Sequence, residues 1–263
     1  TTQIANLSTA QALALTSSQL NALSSTAIQS IETIDLVKLS TTQLDALDVG
    51  QLNKLTTDQV SSLTTDQVVA LSTAQAAALS SVQVAGLSPT QVAAMQTEDV
   101  AALSNRAIGA MSAAQVQGLT SAQVAGLSTS QAAGLGAAQV GALTSAQLKA
   151  METADLAQLT TSAVQALSNN ALAGLTTSQV ADMGTAQVAA LSDVQIKQLS
   201  TANIQALTSE ITFNGRAAYT LGALFALAAL LVELFSWFRV PARHVRILNW
   251  HAPWQEAMPP GQV

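Results

Sequence analysis

The chain has 263 residues and a net charge of −6, with 9% charged and 3% aromatic residues, a composition unlike that of an ordinary globular enzyme. The surplus of acid over base excludes a phosphate-tracking basic surface along most of the chain, so nucleic acid is not an expected partner. The lack of cysteine excludes disulfides and thiolate metal sites.

Ala, Ser, Thr, Gln, Leu and Val dominate, and tandem repetition accounts for them. Leu7, Leu15, Leu23, Ile31, Leu39, Leu47, Leu55, Leu63 and Leu71 are each eight apart. The series runs on through Met95, Met111, Met151 and Met183 to Leu207 without an insertion, giving 26 apolar positions. With these as position one, position six is also apolar (Ile28, Leu36, Leu44, Val60, Val68, to Ile204). Position two is mostly Ser or Thr, position five mostly Gln, and position eight mostly Ala or Gly.

A continuous helix does not fit this period, because eight residues at about 100° each displace the apolar stripe by about 80° per unit. Strands would place positions one and six on opposite faces. A short helix beginning afresh in each unit fits. Ser or Thr at position two is an N-cap and Gln at position five is the other half of a capping box. Positions one and six are then the partners of a hydrophobic staple.

Pro89 falls at the first helical position, where proline is tolerated, and Asp58, Asp66, Glu98 and Asp99 fall in first turns, where the helix dipole favours them. Small residues at position eight, such as Gly86, Gly118, Gly126, Gly134 and Gly174, are expected to allow a sharp exit and close packing. Three units differ together. Those containing Glu32/Asp35, Gln96/Asp99 and Glu152/Asp155 replace both cap and glutamine, and their caps are expected to shift to Thr33, Thr97 and Thr153.

Helices this short are unstable alone, so positions one and six must be buried between units. Two antiparallel helices per coil would give 13 coils and a body about 120 Å long at roughly 9 Å between helices. Spacing alone leaves three units per coil open.

Leu63-Thr64-Thr65-Asp66-Gln67-Val68-Val69-Ala70 and Leu71-Ser72-Thr73-Ala74-Gln75-Ala76-Ala77-Ala78 resemble the tandem octapeptides of very large bacterial surface proteins, often labelled haem-utilisation or adhesion-like exoproteins. The resemblance covers residues 1 to about 208. It implies an envelope or secreted location and a structural or adhesive role; the haem label brings no residue motif that this sequence matches. Leu63 to Leu71 is also similar to the opening of a TAL-effector repeat. The base-reading second half of that longer unit has no counterpart here, so the likeness is one of helix-start chemistry.

The array spans 1–208, and a junction at 209–216 ends in Asn214-Gly215, a turn signal. Residues 217–238 then hold one charge, Glu233, over a length sufficient to span about 30 Å of hydrocarbon. Tyr219 and Trp237 stand where interfacial anchors would, and Arg239, Arg243 and Arg246 follow, so the positive-inside rule places the tail in the cytoplasm and the repeats outside. The tail, 239–263, is basic and broken by prolines. Trp250 and Trp254 are its candidate surface for lipid or a partner. Its histidines, His244 and His251, read as ordinary surface residues rather than metal ligands. The start at Thr1, with no signal-like stretch, implies a removed leader or a piece of a longer array.

No Ser-centred elbow, phosphate loop or acid–base pair occurs, so no catalytic, cofactor or metal residue is assigned. The expected fold is an all-α solenoid of very short capped helices plus one C-terminal hydrophobic, transmembrane helix. The expected function is a non-enzymatic structural or adhesive surface repeat protein in a bacterial membrane, crossing it once and bound to lipid through 217–238. Two alternatives stay open. One is a self-assembling extracellular filament or sheath protomer with 217–238 as its polymer core, a homo-oligomer. The other is an accessory subunit docking on a membrane complex.

Overall fold

The computed structural model describes residue 4 and residues 7–213, and every element among them is helical. Twenty-five helices follow one another from Thr9 to Phe213, each of four to six residues except the last. Helix starts obey the octad chemistry. Thr64 is extended at φ −71°, ψ 161°. Its hydroxyl accepts from the Gln67 backbone amide at 3.2 Å, and the Gln67 Oε1 accepts from the Thr64 backbone amide at 2.9 Å. The same reciprocal pair recurs wherever Ser or Thr at position two meets Gln at position five. Pro89 is the first residue of its helix.

Helix exits differ from expectation. Gly126 (φ −86°) and Gly134 (φ −80°) stay right-handed, and the chain turns instead on extended position-one residues such as Leu87 at φ −67°, ψ 144°. The exit therefore needs no left-handed residue, and glycine at position eight serves close packing alone. The three variant units also keep the common register. Glu32, Gln96 and Glu152 are the N-caps and make no side-chain cap, while Thr33, Thr97 and Thr153 are first helical residues. A β-branched residue already in helical conformation cannot offer its hydroxyl to the orphan amides two and three positions on, so the cap does not shift.

Packing sets the architecture. Helices three apart in sequence stack: Ser81–Gly86 on Asn105–Ala110, Pro89–Ala94 on Ala113–Gly118, and Ala137–Gly141 on Thr161–Ala166. Three octads therefore make one coil, and the helices form three columns around a shared interior. The two-helix coil expected above is corrected by this. Leu7 to Leu207 spans about eight coils, and at roughly 9 Å per helix layer the array is about 75 Å long. The coil needs three sides because each octad is too short to run back antiparallel against its predecessor. Successive helices meet at corners, and burial comes from the layer below.

Positions one and six fill the interior, with Val68, Val92, Val124 and Leu148 fully buried and Leu71, Met95 and Met151 nearly so. Together they form one continuous core from Leu20 to Leu207. The last helix, Thr201–Phe213, runs on through residues 209–213. No helix of the described residues is long and apolar enough to cross a membrane.

Candidate functional site

The most elaborated polar chemistry of the array lies between its coils. From Gln51 onward position five is buried, with Gln123 and Gln131 each 1% exposed. A primary amide has one acceptor and two donor hydrogens. Oε1 is used locally, accepting from the N-cap backbone amide at 2.7–3.0 Å, including at Gly136 and Gly184, which have no cap side chain of their own. Nε2 points the other way and donates to the coil below. Each position-five glutamine from Gln43 to Gln195 donates to the position-one carbonyl 28 residues earlier at 2.6–3.0 Å. Many also reach the position-six carbonyl 31 residues earlier, as Gln67 does to Leu36 at 2.9 Å and Gln115 to Val84 at 2.8 Å.

One side chain thus caps its own helix start and satisfies the orphan carbonyls at a helix end one coil down. Both needs arise from the same cause: a helix of five residues consists almost entirely of termini. Sequence reasoning assigned only the capping half. A usable signal was present, because a capping box accepts Glu as readily as Gln, yet no position five holds Glu. The preference for Gln over Glu marks a donor requirement that a carboxylate cannot meet.

The ladder is interrupted at Ala107, Ala163 and Ala171, and at Asp35, Asp99 and Asp155. Asn203 keeps a shorter rung, donating to the Leu175 carbonyl at 3.1 Å. The gaps at 155, 163 and 171 are consecutive. Between Gln147 and Gln179 no glutamine amide reaches back, so one whole coil, 151–174, sits on the coil 127–150 without a glutamine rung. At this joint the backbones approach closely. A Cβ on Gly141 would fall 2.9 Å from the Ala166 carbonyl oxygen, and one on Gly174 would strike the Ser145 backbone.

The three aspartates are buried. Asp99 accepts from the Thr73 hydroxyl at 2.8 Å through Oδ1, but its Oδ2, the Oδ1 of Asp35 and both oxygens of Asp155 have no partner. Burial raises the Asp99 carboxyl above its ordinary value. The Thr73 hydroxyl and the Gln96 backbone amide pull it down, and the Glu98 charge adds to the rise. Burial likewise raises Asp155, opposed by Thr129 in the coil below and reinforced by Glu152; Thr129 is near enough to influence the carboxyl without making a well-formed hydrogen bond. Asp99 stands in the first turn of its helix, as expected, and is buried there.

Among the described residues no group of three or more His, Asp or Glu is arranged to hold a metal. An open groove bordered by Thr41, Thr42, Asp45, Ala70 and Gln96 is closed on one side by the Gln96 amide, which donates to the Val69 carbonyl at 3.2 Å. It brings together no nucleophile and base. Tyr219, Glu233, Trp237, Arg239, Arg243, Arg246, Trp250 and Trp254, the lipid or partner contacts expected from sequence, lie outside the described residues, as does the expected membrane segment 217–238.

A family model described as the ALTTAQ repeat matches residues 28–65, 62–97, 92–129 and 148–185, together more than half of the chain. The chain belongs to the ALTTAQ repeat family. The matches are tandem and longer than one coil, so the family motif includes the stacking of one coil on the next and not the octad alone. The unmatched stretch from 130 to 147 ends where the glutamine ladder breaks. No curated protein matches the chain.

Proposed function

We propose that this ALTTAQ repeat chain is a non-enzymatic structural or adhesive element of a bacterial surface, in which the octad array is a stalk and residues 217–238 are its membrane anchor. The observation that carries the reading is the use to which the array puts its polar groups. Capping hydroxyls and glutamine amides are committed to joining helix to helix and coil to coil, which makes a regular body rather than a pocket. One long stretch of the array is free of charge, with no Asp, Glu, Lys or Arg from 107 to 148. The apolar run with Tyr219 and Trp237 near its ends, followed by Arg239, Arg243 and Arg246, supports a single crossing with the repeats outside.

The test is placement. Protease added to intact cells should digest the repeats and spare the segment from Trp250 to Val263. Detergent, and not high salt, should release the protein, since hydrocarbon burial and not charge holds such a span. Sedimentation as detergent-resistant fibres with the tail protected would replace the anchored stalk by a filament protomer.

A further inference from the structure

The joint between coil 127–150 and coil 151–174 differs from its neighbours in one chemical respect. Where glutamine would stand there are Asp155, Ala163 and Ala171, so no side chain donates to the carbonyls of Leu127, Leu135 and Leu143, the acceptors 28 residues earlier. Asp155 is therefore the one polar side chain at a rung position across the whole joint. It is 1% exposed and both its oxygens are orphaned. A carboxylate and a backbone carbonyl are both acceptors, and a buried pair of acceptors is satisfied only when a hydrogen lies between them.

A side chain of this length reaches the rung. Asn203, isosteric with aspartic acid, spans the same 28-residue separation and donates to the Leu175 carbonyl at 3.1 Å. We propose that this joint is a proton-gated hinge: Asp155 takes up a proton and donates its O–H to the Leu127 carbonyl, closing the joint, and loss of that proton leaves the Thr129 hydroxyl as the one side-chain donor near the carboxylate across the two coils.

The surroundings favour the proton as occupant. The helix below, Thr129–Ala133, and the helix above, Thr177–Ala181, carry no titratable side chain, the charge that acts on the carboxyl is the acid Glu152 at the helix N-cap, and Lys149 in the last turn of the preceding helix is exposed. No cation faces the carboxylate. Burial and Glu152 both hold the Asp155 carboxyl above its ordinary value in the folded chain. The stabilising protonated form is thus fully present below the unfolded value and is lost as pH rises through the folded one. Acid closes the hinge and neutrality loosens it. Asp99 repeats the chemistry at a joint still tied by Gln91 to the Leu63 carbonyl at 2.6 Å, so its titration has less mechanical consequence.

Hydrogen exchange on the full chain, corrected for the intrinsic pH dependence of exchange, tests the proposal. At neutral pH amides in 151–174 should exchange at least tenfold faster than those in the clamped coils around 59–83. The difference should shrink as pH falls. Asp155→Asn, which supplies the donor permanently, should slow exchange in 151–174 at neutral pH and abolish its pH dependence. Ala163→Gln, which restores a rung beside an intact Thr160 cap, should slow it and leave the pH dependence in place. Difference infrared spectroscopy on the wild-type chain should show a protonated carboxyl that Asp155→Asn removes. Uniform protection across the array at neutral pH, an Asp155→Asn chain indistinguishable from wild type, or the absence of that carboxyl band would each overturn the proposal.

Discussion

Replacing Gln147 by Glu separates the two roles of the position-five glutamine. Gln147 is 3% exposed; its Oε1 accepts from the Thr144 amide at 2.8 Å, and its Nε2 donates to the carbonyls of Leu119 at 2.6 Å, Val116 at 3.0 Å and Gln117 at 3.1 Å. Glutamate has the same shape and completes a capping box equally well, so a residue that only capped its own helix would tolerate the change. A residue that also clamps the coil below would not. The ionised carboxylate turns three attractive contacts into acceptor–acceptor repulsion inside a region without any cation from 107 to 148. Leaving buried acceptors unpaired and burying an uncompensated charge together cost about 3–5 kcal/mol. For an array of this size that is a fall in Tm of about 10 °C, read by circular dichroism at neutral pH. Gln147→Ala removes the clamp without adding charge and should cost about half as much. Alanine already occupies the equivalent place at Ala107, Ala163 and Ala171. Gln117→Glu, on the exposed face, should stay within about 0.5 kcal/mol. A Gln147→Glu array as stable as Gln117→Glu would refute the inter-coil role.

Other perturbations follow from the same geometry. Val68→Asp, at a fully buried position six, should cost several kcal/mol, whereas Asp66→Ser, exposed at position four, should cost less than about 0.5 kcal/mol; equal losses of Tm would dismiss the octad register. Gly174→Val puts methyl groups into the Ser145 backbone and should lower Tm by about 5–10 °C, while Ala173→Val, on the outer face, should be nearly neutral. Excising residues 112–135, one coil, should preserve a cooperative helical melt because every 28-residue pairing is restored. Excising residues 112–123 should not, since half a coil puts position five over the wrong carbonyls.

Much of the helix chemistry was legible because it is local. A capping box is complete within four residues, and Ser88-Pro89-Thr90-Gln91 states its helix start without reference to anything distant. The buried faces followed from the same register. The number of octads per coil was not legible, because a near-perfect repeat makes position six of any octad a plausible neighbour of any other. The variant units misled for a related reason. Moving the cap to Thr33, Thr97 or Thr153 is locally sensible, but it would rotate the interior residues Leu36, Val100 and Leu156 out of the core, and their burial outweighs a missing cap of about 1 kcal/mol. The inter-coil role of glutamine lay in a residue choice rather than a spacing, and choosing Gln over Glu becomes informative only once a second set of acceptors is known to lie within reach.

The ladder also has a direction. In every glutamine rung the donor belongs to the later residue and the acceptor to one 28 to 31 residues earlier, so the position-five ladder of each coil completes the hydrogen bonding of the coil before it, while a few other contacts run the opposite way, as Gln29 to the Lys54 carbonyl at 2.9 Å and Thr73 to Asp99 at 2.8 Å. All tertiary pairing is therefore short in sequence, the condition under which chain closure costs least and folding is fastest. Folding can then proceed coil upon coil from the N-terminal side, each new turn docking on a surface of prepared carbonyls. The same directionality explains why the interruptions do not abolish the array. A missing rung weakens one joint by the worth of its hydrogen bonds, while Leu, Val and Met at positions one and six continue the core across it, as Val140, Leu148 and Val164 do through the unclamped coil. Uneven joints in an otherwise uniform stack concentrate opening at chosen places, and the sequence chooses them by exchanging a single side chain in eight.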